Sequence, residues 1–345
     1  MSNSRTKFFR TVNSFRRALR YAALSAAALA AGAGTAAAAT PVTIGVVPWI
    51  GYGPIYVALE KGFFAAHGLD VKLVNFNDNA AMPGAVYSGQ VNAITLTYDQ
   101  VIGANAKGWH LKVIMPVDYS AGADAILSID DITSVKQLKG LKVAFAPLSP
   151  SDFLLGYALK EQGMSMKDII PVDTTPESVP GIMAGGSTKV GVTYEPNVSA
   201  IVQAGGGKKF HVLYSSKDAK GLITDVLVVN QKTIKKNPAM ITAMIESFVE
   251  AEEYMKSNPA DADAIIGKTL GIAPSDVPGQ LAGVQNPPLS EMPSVLANSG
   301  ELPSFYTSSQ VIGTLLKDEG QITQIPPVTD TYDSSFVDAV AANAK

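Results

Sequence analysis

Residues 42–74 read V-T-I-G-V-V-P-W-I-G-Y-G-P-I-Y-V-A-L-E-K-G-F-F-A-A-H-G-L-D-V-K-L-V. A β-rich run (42–47) leads into a glycine-flanked loop holding two aromatics (49–53). A helical stretch (54–61) and a second β-rich run (70–76) come next. The same alternation continues outward: helix 80–88, strand 92–97, helix 99–107, strand 111–117. After Ser134 it restarts with strand 142–146, helix 151–162, strand 170–173, a short helix near Glu177 and strand 189–193. Strands separated by helices of about ten residues argue for parallel α/β sheets. From Pro238 the character turns helical (239–256, 260–270, 304–318, 334–342), punctuated by Pro287-Pro288 and Pro326-Pro327.

A partial internal repeat points to two similar lobes. Pro83-Gly84, Gly89 and Thr97-Tyr98-Asp99 recur as Pro180-Gly181, Gly186 and Thr193-Tyr194-Glu195. In each copy a strand ends in Thr-Tyr-acid and a helix succeeds it, and open α/β sheets bind ligands at the carboxyl ends of their strands.

The chain has 345 residues, of which 47% are hydrophobic and 17% charged, enough for about two globular domains. With no cysteine, disulfide frameworks, thiolate metal sites and cysteine nucleophiles are excluded. Arg5, Lys7, Arg10, Arg16, Arg17 and Arg20 crowd the first twenty positions, and the first acid is Glu60. Taking those six from the 27 Lys and Arg leaves 21 against 30 acidic residues, a net of −9. So acidic a body argues against nucleic acid as a partner. The basic stretch, the uncharged Ala/Leu run 21–31 and Ala37-Ala38-Ala39 have the order of a secretory signal, with cleavage expected after Ala39. Residues 1–39 are thus expected to be removed, leaving a monomer in the periplasm without stable membrane insertion.

Residues 42–74 resemble exported solute-binding proteins of ABC importers, in the group serving nitrate, aliphatic sulfonates, taurine, bicarbonate and thiamine-pyrimidine precursors. Gly89-Gln90-Val91-Asn92-Ala93, Ser134–Ala144 (S-V-K-Q-L-K-G-L-K-V-A) and Val192-Thr193-Tyr194-Glu195-Pro196 resemble further elements of that family, with Asn92 for its usual Asp and Tyr194 for its usual Trp. The resemblance covers roughly 42–340. It implies a two-lobe periplasmic binding protein fold of type II, each lobe a mostly parallel sheet flanked by helices, with a ligand cleft between them. Lobe I is expected over 40–127 and 221–345, and lobe II, inserted, over 128–220. It also implies an ABC permease as partner and a small-molecule ligand, with no cofactor.

The candidate ligand contacts lie on strand-end loops. Trp49 and Tyr52, beside Gly53, offer two rings to a planar or cationic group. Thr97, Tyr98 and Asp99 leave one lobe, Tyr194 and Glu195 the other, and helix capping competes with ligand contact for the two acids. Asp118 and Tyr119, with Asp124 near, close the last strand of the first lobe. Ser149 and Ser151 precede an apolar helix as cap and donors.

For an enzyme the sequence offers little. His67, His110 and His211 are scattered without metal-ligand spacing, and neither a nucleophile elbow nor a phosphate loop occurs. A pyrimidine-synthase-like activity, known in one branch of the superfamily, goes with a cysteine-rich motif that this chain lacks. All five arginines lie at or before position 20, and the candidate loops hold no lysine. Arginine is the usual bidentate partner of oxyanions. The expectation is therefore a neutral or cationic nitrogen compound (amide, urea, guanidine or aminopyrimidine), with a sulfonate, taurine or nitrate as the alternative.

Overall fold

The computed structural model describes residues 38–204, 206–298, 300 and 302–344; the export signal expected over 1–39 lies outside them except for its last two residues. The first lobe begins β1 (Thr40–Val46), α1 (Gly53–Glu60), α2 (Phe63–Ala66), β2 (Leu69–Asn75), α3 (Met82–Ser88), β3 (Ala93–Thr97), α4 (Tyr98–Ala106) and β4 (Leu111–Ser120). The second holds β5 (Asp124–Ile129), β6 (Lys142–Phe145), α5 (Pro150–Glu161), β7 (Ile170–Asp173), α6 (Val179–Ala184), β8 (Val190–Tyr194), α7 (Asn197–Ala204) and β9 (Phe210–Ser215). The chain then returns through β10 (Thr224–Asn230) to α8 (Gln231–Lys236), α9 (Pro238–Ser257), α10 (Pro259–Leu270), α11 (Val277–Leu281), β11 (Val284–Gln285), α12 (Met292–Leu296), α13 (Phe305–Asp318) and α14 (Ser335–Asn343).

Two sheets result, ordered β11-β4-β10-β3-β1-β2 and β7-β6-β8-β5-β9. In the first, β2, β1, β3 and β4 run one way; in the second, β7, β6, β8 and β9 do. The strands fed directly by the crossovers, β5 and β10, run antiparallel to both neighbours. The reason is topological. β4 and β9 end at the cleft, so the strand that begins there after each crossover must run away from it. The first crossing lies between Ser120 and Asp124 and the second between Ser215 and Thr224; residue 127, the expected end of the first lobe, lies inside β5 of the second sheet. The two crossovers touch through Ser120 Oγ and Ser216 Oγ, 2.7 Å apart.

Elements given a range from the sequence fall within one to three residues of those observed, but β5, β9, β10, β11, α2, α8, α11 and α12 are additions. β10 (T-D-V-L-V-V-N) is buried at every position, and a continuous apolar run carries no alternation by which to recognise a strand. The internal repeat is structural: α3–β3–α4 and α6–β8–α7 correspond, each first helix carrying proline near its start, and Gly89 (φ 81°) and Gly186 (φ 74°) making the left-handed turn before the strand. The late helices complete the first lobe, α9 and α10 packing on α1 and α13 on α4.

Asn230 ties the returning strand to this layer. Its Oδ1 accepts from Thr233 N at 2.8 Å, capping α8, and its Nδ2 donates to Val86 O at 2.6 Å. Asn230→Ala is expected to cost about 2 kcal/mol, by loss of the cap and of the bond to Val86 O. A lowered urea midpoint with unchanged slope checks this.

Candidate ligand-binding cleft

The cleft is built from strand ends of both sheets. In the first, Asp225 at the start of β10 sits opposite Thr97 of β3 on one side and Asp118 of β4 on the other. Like charges directly opposite in neighbouring strands repel. Each is met by a donor from the loop after β1: Trp49 Nε1 donates to Asp118 Oδ2 at 3.0 Å, and the Tyr52 hydroxyl to Asp225 Oδ1 at 2.5 Å. Gly51 is what lets the loop lie this close, since a Cβ there would collide with both Asp118 Oδ2 and Trp49 Nε1. Asn286 Nδ2 fastens the loop by donating to Gly51 O (3.2 Å) and Val117 O (2.9 Å).

The second lobe supplies Asp124 and Tyr194, paired across β5 and β8. The Tyr194 ring meets Trp49 edge to face (5.7 Å, 88°), and its hydroxyl donates to Asn79 Oδ1 of the first lobe at 3.4 Å. Gln100 Nε2 adds a second cross-lobe bond, to Leu148 O at 3.0 Å. Trp49, Tyr52, Asn79, Thr97, Asp124, Tyr194 and Asp225 thus enclose a cavity of about 10 Å³, which holds about one water, with Val47, Leu96 and Pro150 as its apolar wall. The lobes are closed on one another.

Electrostatically the cleft is one-sided. Asp118, Asp124 and Asp225 are all buried, and Oδ1 of Asp118, Oδ1 of Asp124 and Oδ1 of Asp99 have no hydrogen-bond partner. Burial pushes Asp99 up to about 6, Asp124 to about 7 and Asp225 to about 8, and neighbouring carboxylates add to each shift. Asp118 is held well above the carboxylate range by burial and by the charge of Asp225, against the Trp49 bond. Among the described residues no lysine or histidine is one of the groups acting on these four. Among the described residues no cluster of His, Asp and Glu is arranged to hold a metal.

Of the residues expected from the sequence, Trp49, Tyr52, Thr97 and Tyr194 line the cavity, and Asp118 stands behind Trp49. Asp99, in the first turn of α4, lines an adjoining opening of about 60 Å³ with Gln100, Leu148 and Gln321. Tyr98 is a correction. Its ring stacks on Phe305 (3.9 Å between centroids) and its hydroxyl donates to Thr331 Oγ1 at 2.7 Å, Thr331 itself donating to Val328 O. In the first repeat the helix starts at Tyr98, whereas in the second Glu195 and Pro196 form a turn before α7, so Tyr194 stays on the strand. Tyr119 is another: it comes after Asp118 along β4, faces the opposite way, and lines an outer opening with Lys220 and Glu291. Glu195 caps α7 by accepting from Ser199 N (3.0 Å) and Ser199 Oγ (2.8 Å). Ser149 caps α5, accepting from Ser151 N at 3.2 Å, while the buried Ser151 hydroxyl has no partner. Gly53 packs α1 against Ile266, which a Cβ would meet at 2.8 Å. Asp225 and Asn79 are not expected from the sequence; an acid within the otherwise apolar run 223–229 is the available signal for the first.

A family model described as "NMT1/THI5 like" matches residues 49–262. The chain belongs to that family. A putative binding protein of Brucella abortus (strain 2308) is 23% identical over 234 residues, 67% of this chain and 72% of its own length. A putative aliphatic sulfonates-binding protein of Escherichia coli K12 is 30% identical over 173 residues, 50% of this chain and 53% of its own. The alkanesulfonate-binding protein SsuA from Xanthomonas axonopodis pv. citri, solved bound to MOPS, superposes with a TM-score of 0.72 at 16% identity, covering 86% of this chain and 99% of that one. This NMT1/THI5-like chain therefore has the two-lobe periplasmic binding protein fold that its sequence implies.

For this member of the family, Tyr98→Phe is expected to lower stability by about 1 kcal/mol, measured by urea unfolding, and to leave ligand affinity unchanged. Because the folded state keeps protons on Asp99, Asp124 and Asp225 that the unfolded chain releases near pH 4, stability is greatest in acid and is lost as pH rises through 6, 7 and 8. The ligand-free melting temperature is expected to fall from pH 5 to pH 8, less steeply in Asp225→Asn.

Proposed function

We propose that this chain is an exported solute-binding protein that holds a small molecule between its lobes and delivers it unchanged to an ABC permease. Its cargo, on this proposal, is a neutral or cationic nitrogen compound of amide, urea, guanidine or aminopyrimidine type. The observation that carries the ligand class is the pairing of the partnerless buried Asp124 Oδ1 and the carboxyl of Asp225 with a wall of Trp49, Tyr52 and Tyr194, where no basic side chain lines the cavity. Rings face cations favourably, and an N–H donor satisfies an orphaned carboxylate. Binding-protein relatives support transport over catalysis. Among the described residues no helix is long and apolar enough to cross a membrane, in keeping with a free carrier.

A sulfonate is the second reading, favoured by the names of the relatives and by the free Ser151 hydroxyl at the start of α5. Against it, that helix start is already served by Ser149, and Asp152 in the first turn counters its positive end. A thermal-shift screen of ureas, guanidines, amides and aminopyrimidines beside taurine, alkanesulfonates and nitrate tests the choice, since a ligand of the folded state raises the melting temperature. A hit from the nitrogen series is expected, recovered unaltered by mass spectrometry after release. Tyr194→Ala is expected to weaken it about tenfold by calorimetry, by loss of a ring–cation contact. Stabilisation by taurine or nitrate alone overturns the ligand class.

A further inference from the structure

The closed cleft holds more acid than it can keep ionised. Asp118 and Asp225 oppose each other in adjacent strands, and Asp124 faces them from the other lobe, its Oδ1 buried and without a partner in the cavity. The titratable groups packed around them are acids and neutral tyrosines. Tyr52 and Tyr56 come from the loop after β1 and from α1, Asp99 from α4, and Tyr194 and Glu195 from the end of β8. Asp152 of α5 acts on Asp99, and Glu177, before α6, acts on Tyr194. Lys217 lies at the return crossover, where its stem would meet a Cβ on Gly122, and is not among the groups acting on the carboxyls. With no countercharge of its own, such a cluster is neutralised in one of two ways, by protons or by a cation from outside.

We infer that the cleft, once its lobes part beyond the one-water gap of this closed form, is a proton-exchanging cation site: a small organic cation of guanidinium, amidinium or ammonium type takes the place of protons held among Asp118, Asp124 and Asp225. This deepens the proposed function and rests on it, but makes a separate claim, that the cargo is charged and its binding expels protons. The sites are linked, so the protons leave the group as a whole rather than one named residue. Their positions on that scale (about 7 for Asp124, about 8 for Asp225) put the exchange inside the neutral range. A cation binding the ionised group therefore binds more tightly as pH rises, by at most tenfold per pH unit for each proton displaced. An oxyanion entering the same cavity takes protons up and binds more tightly as pH falls.

Calorimetric titration with guanidinium, formamidinium and methylammonium chlorides at low millimolar concentration, beside urea, taurine and nitrate, reads the sign directly. Each probe is run at pH 6, 7 and 8 in phosphate and in carboxylate buffers of different ionisation heat, ADA at pH 6 and 7 and bicine at pH 8. At least one organic cation is expected to bind with release of about one proton at pH 7 and with affinity rising from pH 6 to 8. Asp124→Asn and Asp225→Asn are each expected to lower the number of protons released, and the wild-type measurement stands whether or not either variant folds. Binding of urea or of a cation, weakened by Tyr194→Ala but without proton release, overturns the exchange and leaves the nitrogen-compound cleft standing. Binding of taurine or nitrate with proton uptake overturns both. Failure of all three cations to bind overturns the exchange.

Discussion

Asp118 and Asp225 stand across from one another on neighbouring strands, and much of the first lobe is arranged around that pair. Their mutual repulsion is relieved by two donors, and both donors sit on one short loop, so the loop has a single acceptable path. Only glycine at position 51 permits that path. The loop in turn sets where α1 begins, and α1 is the surface on which α9 and α10 pack. A demand made by two carboxylates is thus passed through a turn to the helical layer behind the sheet.

The alternation that places β1 to β4 and β6 to β8 is legible because helices of this chain announce themselves, with proline at the first turn of α1, α3, α5 and α6. β5 and β10 are not legible, because strand reversal at a crossover is a property of topology and leaves no mark on composition. The same limit governs the site. Trp49, Tyr52, Thr97 and Tyr194 can be found by locating the carboxyl end of each strand and the loop beyond it. Tyr119 cannot be placed that way, because adjacent residues of a strand face opposite sides, and which side is inward depends on the neighbouring strand. Asp225 is hidden by the apolar residues around it, although a charge in such a run is itself unusual.

The two copies of the Thr-Tyr-acid repeat show how similar sequence comes to do different work. Both come after a helix, a left-handed glycine and a buried strand. Two turn residues in the second copy leave its tyrosine in the cleft, whereas immediate helix formation in the first commits the other ring to Phe305 and the core. The acids diverge as well, Glu195 serving a helix start and Asp99 an opening beside the cavity. The lobes share a plan but not a division of labour.

The crossover between Ser120 and Asp124 carries a consequence of its own. Asp118 lies just before it and Asp124 begins just after it, while Ser120 joins it to the returning crossover through Ser216. Any twist of this hinge changes the distance between acids on opposite lobes and the water that reaches them. Lobe separation and charge are then a single coordinate: the hinge behaves as an electrostatic spring, relaxed by protons in acid and pushed apart as they leave. On the proposed exchange, a cation that draws it shut at neutral pH restores a neutrality that acid supplies without any cargo, and an empty protein kept in acid would resemble a loaded one.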